Sequence, residues 1–240
     1  MTDPNPFQPI FAATIQPLLW VFPALFTLAG LKLLFSAWFK GMAGERAVAR
    51  VLDRLGQDAL HDIIIPDGQG GLTQLDHVVL IPAGLLVVET KNYQGNIFGQ
   101  PKDKTWTQRL GKKSFKFGNP LRQNYLHTQA VKALVPGVPV YGQVAFTNVA
   151  RFPKGVPEGV SALKTLKADL GPLLQADPVD PLELNVVWQQ VQEAARTDRE
   201  TRQAHLAGIQ AKHGKDYRKP VAIGLLIVAT LWAVALLLLK

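Results

Sequence analysis

Two long runs without a charged residue, one near each end, constrain this 240-residue chain more than any other feature. The first, residues 10–31, reads IFAATIQPLLWVFPALFTLAGL, and the helix expected there, residues 10–32, closes on Lys32. The second, residues 220–239, reads PVAIGLLIVATLWAVALLLL and is followed by Lys240. A hydrocarbon core about 30 Å thick needs about 20 apolar helical residues to cross it. A charge-free run of that length is rarely a buried helix of a soluble domain. Both runs are therefore expected to be transmembrane helices. Pro17 and Pro23 are tolerated in spanning helices, Pro220 suits a first turn, and Lys32 can snorkel to the headgroups. Before the first run stands only Asp3, with no basic residue, and no small-residue cleavage site follows it. A cleaved signal peptide is not expected.

Basic residues flank both runs on their inner sides: Lys32, Lys40, Arg46 and Arg50 after the first, Lys212, Lys215, Arg218 and Lys219 before the second. The positive-inside rule then puts the intervening domain in the cytosol and both tails across an inner (cytoplasmic) membrane. Between the runs the sequence is ordinary globular sequence. No cysteine is present, which excludes disulfides, thiolate nucleophiles, zinc–cysteine sites and iron–sulfur clusters. The net charge of +8 and the pI near 9.7 point to a polyanionic partner, nucleic acid or an anionic lipid surface.

The middle alternates helix and strand signals, and residues 41–168 are expected to form one domain. From Gly44 to Leu55, Ala47, Val48, Val51, Leu52 and Leu55 recur on one helical face. HDIIIPDGQGG ends a short apolar strand in a turn. TQLDHVVLI and LLVVETKNY, joined at Pro82-Ala83-Gly84, read as a β-hairpin. Residues 94–118, rich in Gly, Lys and aromatics, read as a loop. Asn119-Pro120 opens a helix, and VYGQVAFTN reads as a further strand. The order α-β-β-β-α-β implies an α/β fold, a mixed sheet with helices packed on it. Residues 182–215 read as a charged amphipathic connector helix leading to the second membrane segment.

Glu89 and Lys91 lie two apart on a strand and so share a face, while Thr90 points away. Across the hairpin, Asp76 must stand within about one residue of direct opposition to them. Two carboxylates and an ammonium thus converge at the hairpin's end. Adjacent carboxylates repel, and a hard cation such as Mg²⁺ relieves the repulsion with oxygen ligands. The residue types suit phosphodiester hydrolysis: a metal to activate water, and a lysine for the developing charge. Glu-x-Lys on a solvated strand and cross-strand salt bridges are both ordinary. Here, however, VVLI and LLVV are apolar throughout, implying strands buried on both faces. His77 points opposite to Asp76 on its strand, and neither it nor His61 is expected to bind metal.

From Lys91 to Lys132 there are nine basic residues and one acid, Asp103. Lys102, Lys104, Arg109, Lys112, Lys113, Lys116 and Arg122 are interleaved there with Tyr93, Phe98, Trp106, Phe115, Phe117 and Tyr125. Cations for phosphates and rings for stacking form a candidate nucleic-acid track. A solvated loop, or a patch resting on anionic lipid, has the same composition.

Gly44-Glu45, TQLDHVVLIPAGLLVVETKNYQGNIFG from Thr73 to Gly99, Trp106 and NPLRQNYLH from Asn119 to His127 together resemble the nuclease-related domain family, NERD. The likeness covers roughly residues 42–148. NERD domains resemble distant PD-(D/E)xK nucleases, which implies a restriction-endonuclease-like α-β-β-β-α-β core. The resemblance implies Asp76 and Glu89 as ligands of Mg²⁺ (or Mn²⁺) and Lys91 as the catalytic lysine. It also implies Glu45 as a further metal acid and Gln123 as a contact to the substrate phosphate. A helix-dipole role for Glu45, and packing or capping roles for Asn119 and His127, are equally compatible with their positions. The expectation is a membrane-anchored, metal-dependent nuclease acting on DNA, with no protein partner inferable. The rival is a non-catalytic, membrane-tethered module that binds nucleic acid.

Overall fold

The computed structural model describes residues 16–55, 58–213 and 217–238. Asp3, residues 10–15, Lys215, Leu239 and Lys240, all used above, lie outside them. In chain order the elements are α1 (Gln16–Leu19), α2 (Val21–Asp53), β1 (Ala59–Pro66), β2 (Leu72–Ile81), β3 (Gly84–Lys91), β4 (Gly95–Phe98), β5 (Thr105–Leu110), β6 (Lys113–Gly118), α3 (Pro120–Leu134), β7 (Val140–Phe146), β8 (Ala150–Arg151), β9 (Val160–Ala162), α4 (Leu166–Leu174), α5 (Pro181–Ala194), α6 (Arg199–His213) and α7 (Arg218–Leu238). They fall into two compact units, one drawn from residues 1–40 and 215–240, the other from residues 41–214.

In the first unit, Pro17–Phe35 and Arg218–Leu238 are each long and apolar enough to cross a membrane. The two lie side by side at small residues. A Cβ on Gly30 would stand 2.9 Å from Leu226 Cγ and 3.0 Å from the Ala222 carbonyl, so only glycine allows this approach. Phe22 stacks on Trp232 with ring centroids 5.5 Å apart. Leu25, Leu28, Leu231 and Leu238 are exposed around the pair, as lipid-facing side chains of spanning helices would be.

In the second unit a five-stranded sheet runs β1-β2-β3-β7-β9. The first three strands are antiparallel, and β7 and β9 run parallel to β3. Two-residue side-chain periodicity splits β3 between the faces. Leu85 and Val87 join Val131, Val187 and Trp188 of α3 and α5. Leu86 and Val88 join Val48 and Leu52 of α2 and Leu166 and Leu170 of α4. The result is a mixed α/β domain with helices on both faces. It contains the α-β-β-β-α-β order read from the sequence. The β2–β3 turn is tight, with Ile81 opposite Gly84. Gly84 has φ +135°, and a Cβ there would lie 2.2 Å from the Pro139 carbonyl. Glycine thereby lets β7 enter alongside β3.

The stretch expected to be a loop, residues 94–118, instead forms most of a second sheet, ordered β6-β5-β4-β8. β5 and β6 pair from Thr105↔Gly118 to Leu110↔Lys113. Their two-residue turn holds Gly111 at φ +58°. Trp106 lies opposite Phe117, and Trp106 is 1% exposed. These rings pack with Phe146, the Trp106 and Phe146 rings stacking at 6.2 Å. The face of Trp106 and Phe117 also carries Gln108, Phe115 and Lys113, and the opposite face carries Thr107, Arg109, Ser114 and Lys116. The strands therefore lack the aliphatic signature that marks buried strands.

Where one connector helix was expected over residues 182–215, α5 and α6 stand instead. α5 buries Leu184, Val187, Trp188 and Val191. Arg196, just after it, exchanges backbone hydrogen bonds with Ile64 on β1. The apolar face of this segment is thus core of the 41–214 unit. Trp188→Ala is expected to cost about 3–5 kcal/mol, read from the urea midpoint of the full-length chain in detergent. A loss below about 1 kcal/mol would mark α5 as an appendage.

Candidate active site

The β2–β3 hairpin places the acidic residues. Its register includes His77↔Val88, so one step further Asp76 stands opposite Glu89. The Asp76 Oδ2 accepts a hydrogen bond from the Thr90 backbone N–H at 2.7 Å. Alternation along β3 turns Glu89 and Lys91 to the side where Leu85 and Val87 meet α3. Glu89 is only 3% exposed.

A carboxylate so deep requires partners, and it has two. Lys91 Nζ donates to Glu89 Oε1 at 2.6 Å, and His127 Nε2 lies 3.3 Å from Glu89 Oε2. Thr73 Oγ1 lies 2.9 Å from His127 Nδ1. A hydroxyl donating to Nδ1 leaves the proton on Nε2, facing Glu89. Lys91 Nζ also donates to Gln123 Oε1 at 2.9 Å. Gln123 and His127, one helical turn apart on α3, thus bracket the Glu89–Lys91 pair. Asn119 serves as the N-cap of this helix. Its Oδ1 accepts from Leu121 N at 2.9 Å, and its Nδ2 donates to the carbonyls of Pro101 and Asp103.

The electrostatics follow from this layout. Burial opposes ionisation of Glu89, but the hydrogen bond from His127 and the ammonium of Lys91 outweigh it and hold the carboxyl below its ordinary range. Burial likewise opposes the charge on Lys91, yet Glu89 raises it. Among the described residues Asp76 forms no salt bridge, and the Lys91 charge acts on it only weakly. Burial and then the Glu89 charge push its carboxyl up to about 8. Glu45, on α2, is raised by burial, then by Asp62 and Glu89. Gly44 lets this helix close in, because a Cβ there would lie 2.6 Å from Asn92 Cβ. Asp76, Glu89, Lys91 and Glu45 are therefore within electrostatic reach of one another, and Gln123 joins them through its hydrogen bond from Lys91. Among the described residues, no three His, Asp or Glu side chains form a ready metal cage.

His77 sits behind this cluster. It is buried, and burial followed by the neighbouring His61 lowers its pKa to about 3. Its Nε2 meets Thr90 Oγ1 at 3.0 Å and its Nδ1 meets His61 Nδ1 at 2.8 Å, while His61 Nε2 meets Asp53 Oδ1 at 3.0 Å. This line of hydrogen bonds ties α2 through both histidines to the strand that carries Glu89.

Lys102, Lys104, Arg109, Lys112, Lys113, Lys116 and Arg122 are all exposed, but they do not form one stripe. Lys116 and Arg109, opposite Thr107 and Ser114, point to the outer face of the second sheet by alternation. Lys113 belongs to the other face, at the hairpin end. Lys104 and Arg122 flank a groove beside Gln123.

Two contributors have no signal in the sequence. Asp62 adopts φ +53° and receives Arg202 from α6 at 2.9 and 3.1 Å and Gln74 at 2.7 Å. The Arg202 charge reaches Glu45 as well. Thr73, which orients His127, is the other.

Comparison with known proteins agrees with this geometry. Residues 40–147 match the family described as nuclease-related domain. An uncharacterized protein of Bacillus anthracis is 42% identical over 100 residues, covering 40% of this chain and 47% of that protein. The chain thus spans about half the length of this curated relative. No solved structure matches it. The Asp76, Glu89 and Lys91 cluster lies inside the stretch that matches the nuclease-related domain family.

Proposed function

We propose that the chain is a membrane-anchored, metal-dependent nuclease that hydrolyses phosphodiester bonds, with DNA as its substrate. The observation that carries this reading is the buried Glu89–Lys91 pair facing Asp76 across one hairpin. The carboxylates' charge state supports a divalent cation. Asp76 and Glu89 repel in a buried setting, and a hard cation with oxygen ligands removes that repulsion. Mg²⁺ is commonly held by one or two carboxylates and completes its shell with water and substrate phosphate. Two acids without a closed cage suit that habit. Asp76 and Glu89 would hold the ion, and Glu45 on α2 would be the further acid available to it.

When bound, Mg²⁺ or Mn²⁺ polarises the phosphodiester and lowers the pKa of the attacking water. Water oxygen bonds to phosphorus, one ester P–O bond breaks, and the leaving alkoxide takes up a proton. Lys91 supplies an ammonium for the negative charge that grows on the phosphoryl oxygens. Gln123 and Glu89 fix the direction of that ammonium, and His127 fixes Glu89. The exposed cations around the second sheet hold the nucleic-acid backbone.

The two apolar helices anchor the domain in a cytoplasmic membrane. The basic residues that flank both apolar runs on the domain side support a cytosolic location, where nucleic acid and magnesium are plentiful. One observation favours a second reading, a tethered nucleic-acid-binding module without catalysis. Glu89 has both oxygens engaged, by Lys91 and His127, and needs no metal to be neutralised.

Glu89→Gln separates the two. The full-length protein in detergent is expected to nick plasmid DNA with magnesium and to stop in EDTA. Glu89→Gln and Lys91→Ala are each expected to lower cleavage at least about a hundredfold while DNA binding persists. Equal behaviour of wild type and Glu89→Gln in both assays would favour the binding module.

Proton linkage gives a second test. The Asp76 carboxyl keeps its proton up to about 8 in the fold, against 3.8 for a free side chain. Between those values the folded state binds a proton that the unfolded state has lost. The metal-free protein therefore loses stability as pH rises through this window. A metal must displace that proton. Calorimetry near pH 7 in buffers of differing ionisation enthalpy should show about one proton released per Mg²⁺, and Asp76→Asn should abolish the release. Magnesium binding with no proton release in the wild type would contradict the assignment of Asp76.

A further inference from the structure

The six aromatic residues interleaved with the basic stretch separate in the fold. Tyr93, Trp106 and Phe117 pack with one another and with Phe146. Trp106 belongs to the core and Tyr93 and Phe117 pack against it, whereas Phe115 on β6 is 49% exposed. Tyr125 is open as well. It is 61% exposed, and its neighbour Leu126 is 63% exposed, although α3 buries Asn124, His127 and Thr128 on its other side. The two exposed side chains line a groove of about 590 Å³ with Leu121, Lys104, Arg122 and Gln123. That volume lies within the ~300–1,000 Å³ typical of ligand clefts.

Three features fix what such a groove takes. Its lining is mainly apolar and includes an open aromatic ring, which offers a phosphate little and a nucleobase a stacking surface. Its rim carries two exposed cations from different elements, Lys104 from the loop after β4 and Arg122 from α3. Together they can hold the phosphates on either side of one base. Finally, Gln123 both lines the groove and accepts from Lys91 Nζ at 2.9 Å. A strand seated here therefore runs directly into the Glu89–Lys91 site. A paired base has its faces covered by its neighbours in the stack, and only an unpaired one can present a face to Tyr125.

We infer that this groove seats an unpaired nucleotide adjoining the scissile phosphate, so that the substrate class is nucleic acid with a single-stranded region. The inference rests on the nuclease reading for its catalytic end, but binding in the groove is independent of metal.

The test uses the full-length protein in detergent micelles with EDTA present. Fluorescence anisotropy follows a labelled single-stranded oligonucleotide and the same sequence as a blunt duplex. The single strand is expected to bind at least about tenfold more tightly. Tyr125→Ala is expected to weaken single-strand binding by about five- to a hundredfold, the range for loss of one base–aromatic stack, and to leave duplex binding unchanged. Tyr125→Trp should retain the preference. The side chain is largely exposed, so truncation spares the core, and an unchanged melting temperature verifies this. Equal affinity for both oligonucleotides, or a Tyr125→Ala loss that is nil or the same on both, overturns the proposal. Cleavage assayed separately with magnesium keeps the two readings apart. Strand preference without cleavage of any substrate defeats the nuclease reading alone. Equal, Tyr125-independent cleavage of single strand and duplex defeats the groove alone.

Discussion

A carboxylate that is 3% exposed, on a strand buried from Gly84 to Thr90, dictates much of what surrounds it. Removing an isolated carboxylate from water costs several kcal/mol even after relaxation, so Glu89 is stable only if the fold delivers partners to both oxygens. Lys91 comes free with the strand, because two residues along β3 return to the same face. His127 must be brought from elsewhere, and this ties the position of α3 to the acid. Asn119 starts the helix at the right residue. It caps the backbone N–H of Leu121 and clamps the preceding loop through two carbonyls. Thr73 then sets the imidazole.

Asp76 is treated differently by the same hairpin. Its oxygen has a backbone N–H but, among the described residues, no salt bridge, and it stands beside a charge of its own sign. One acid is thus kept ionised by its partners and the other is pushed toward neutrality. This division leaves the pair unlike two satisfied salt bridges, and the proposed divalent cation rests on that difference. It also explains why His77, though next in sequence, stays out of the site. It faces the other side of the sheet and is held neutral by burial and by His61.

The stretch that matches the nuclease-related family does not account for the whole domain. Arg202 lies 140 residues from Asp62 in sequence and outside the nuclease-related match, yet it forms a bidentate pair with that acid and reaches Glu45 electrostatically. Asp62 sits in a left-handed conformation that Asp tolerates better than most residues. Next to it the two-residue alternation of the hairpin breaks. Leu75 and Val79, four apart, serve different core clusters. The α5–α6 segment therefore supports the acidic edge of the sheet as well as covering its face.

What could be read from the chain alone was whatever depends on local period and short spacing. The charge-free runs, the hairpin with Asp76 opposite Glu89–Lys91, and the helix opened by Asn119-Pro120 all follow from backbone geometry within some twenty residues. Residues 94–118 escaped this reading because a sheet with aromatic and basic faces leaves no aliphatic alternation. The tertiary structure alone decided which aromatics are core and which, Phe115 and Tyr125, are open, and where each cation points. It also decided that His127 and Gln123 meet the acids and that Arg202 meets Asp62. Those outcomes depend on burial and on contacts between segments far apart in sequence, and neither leaves a trace in residue order.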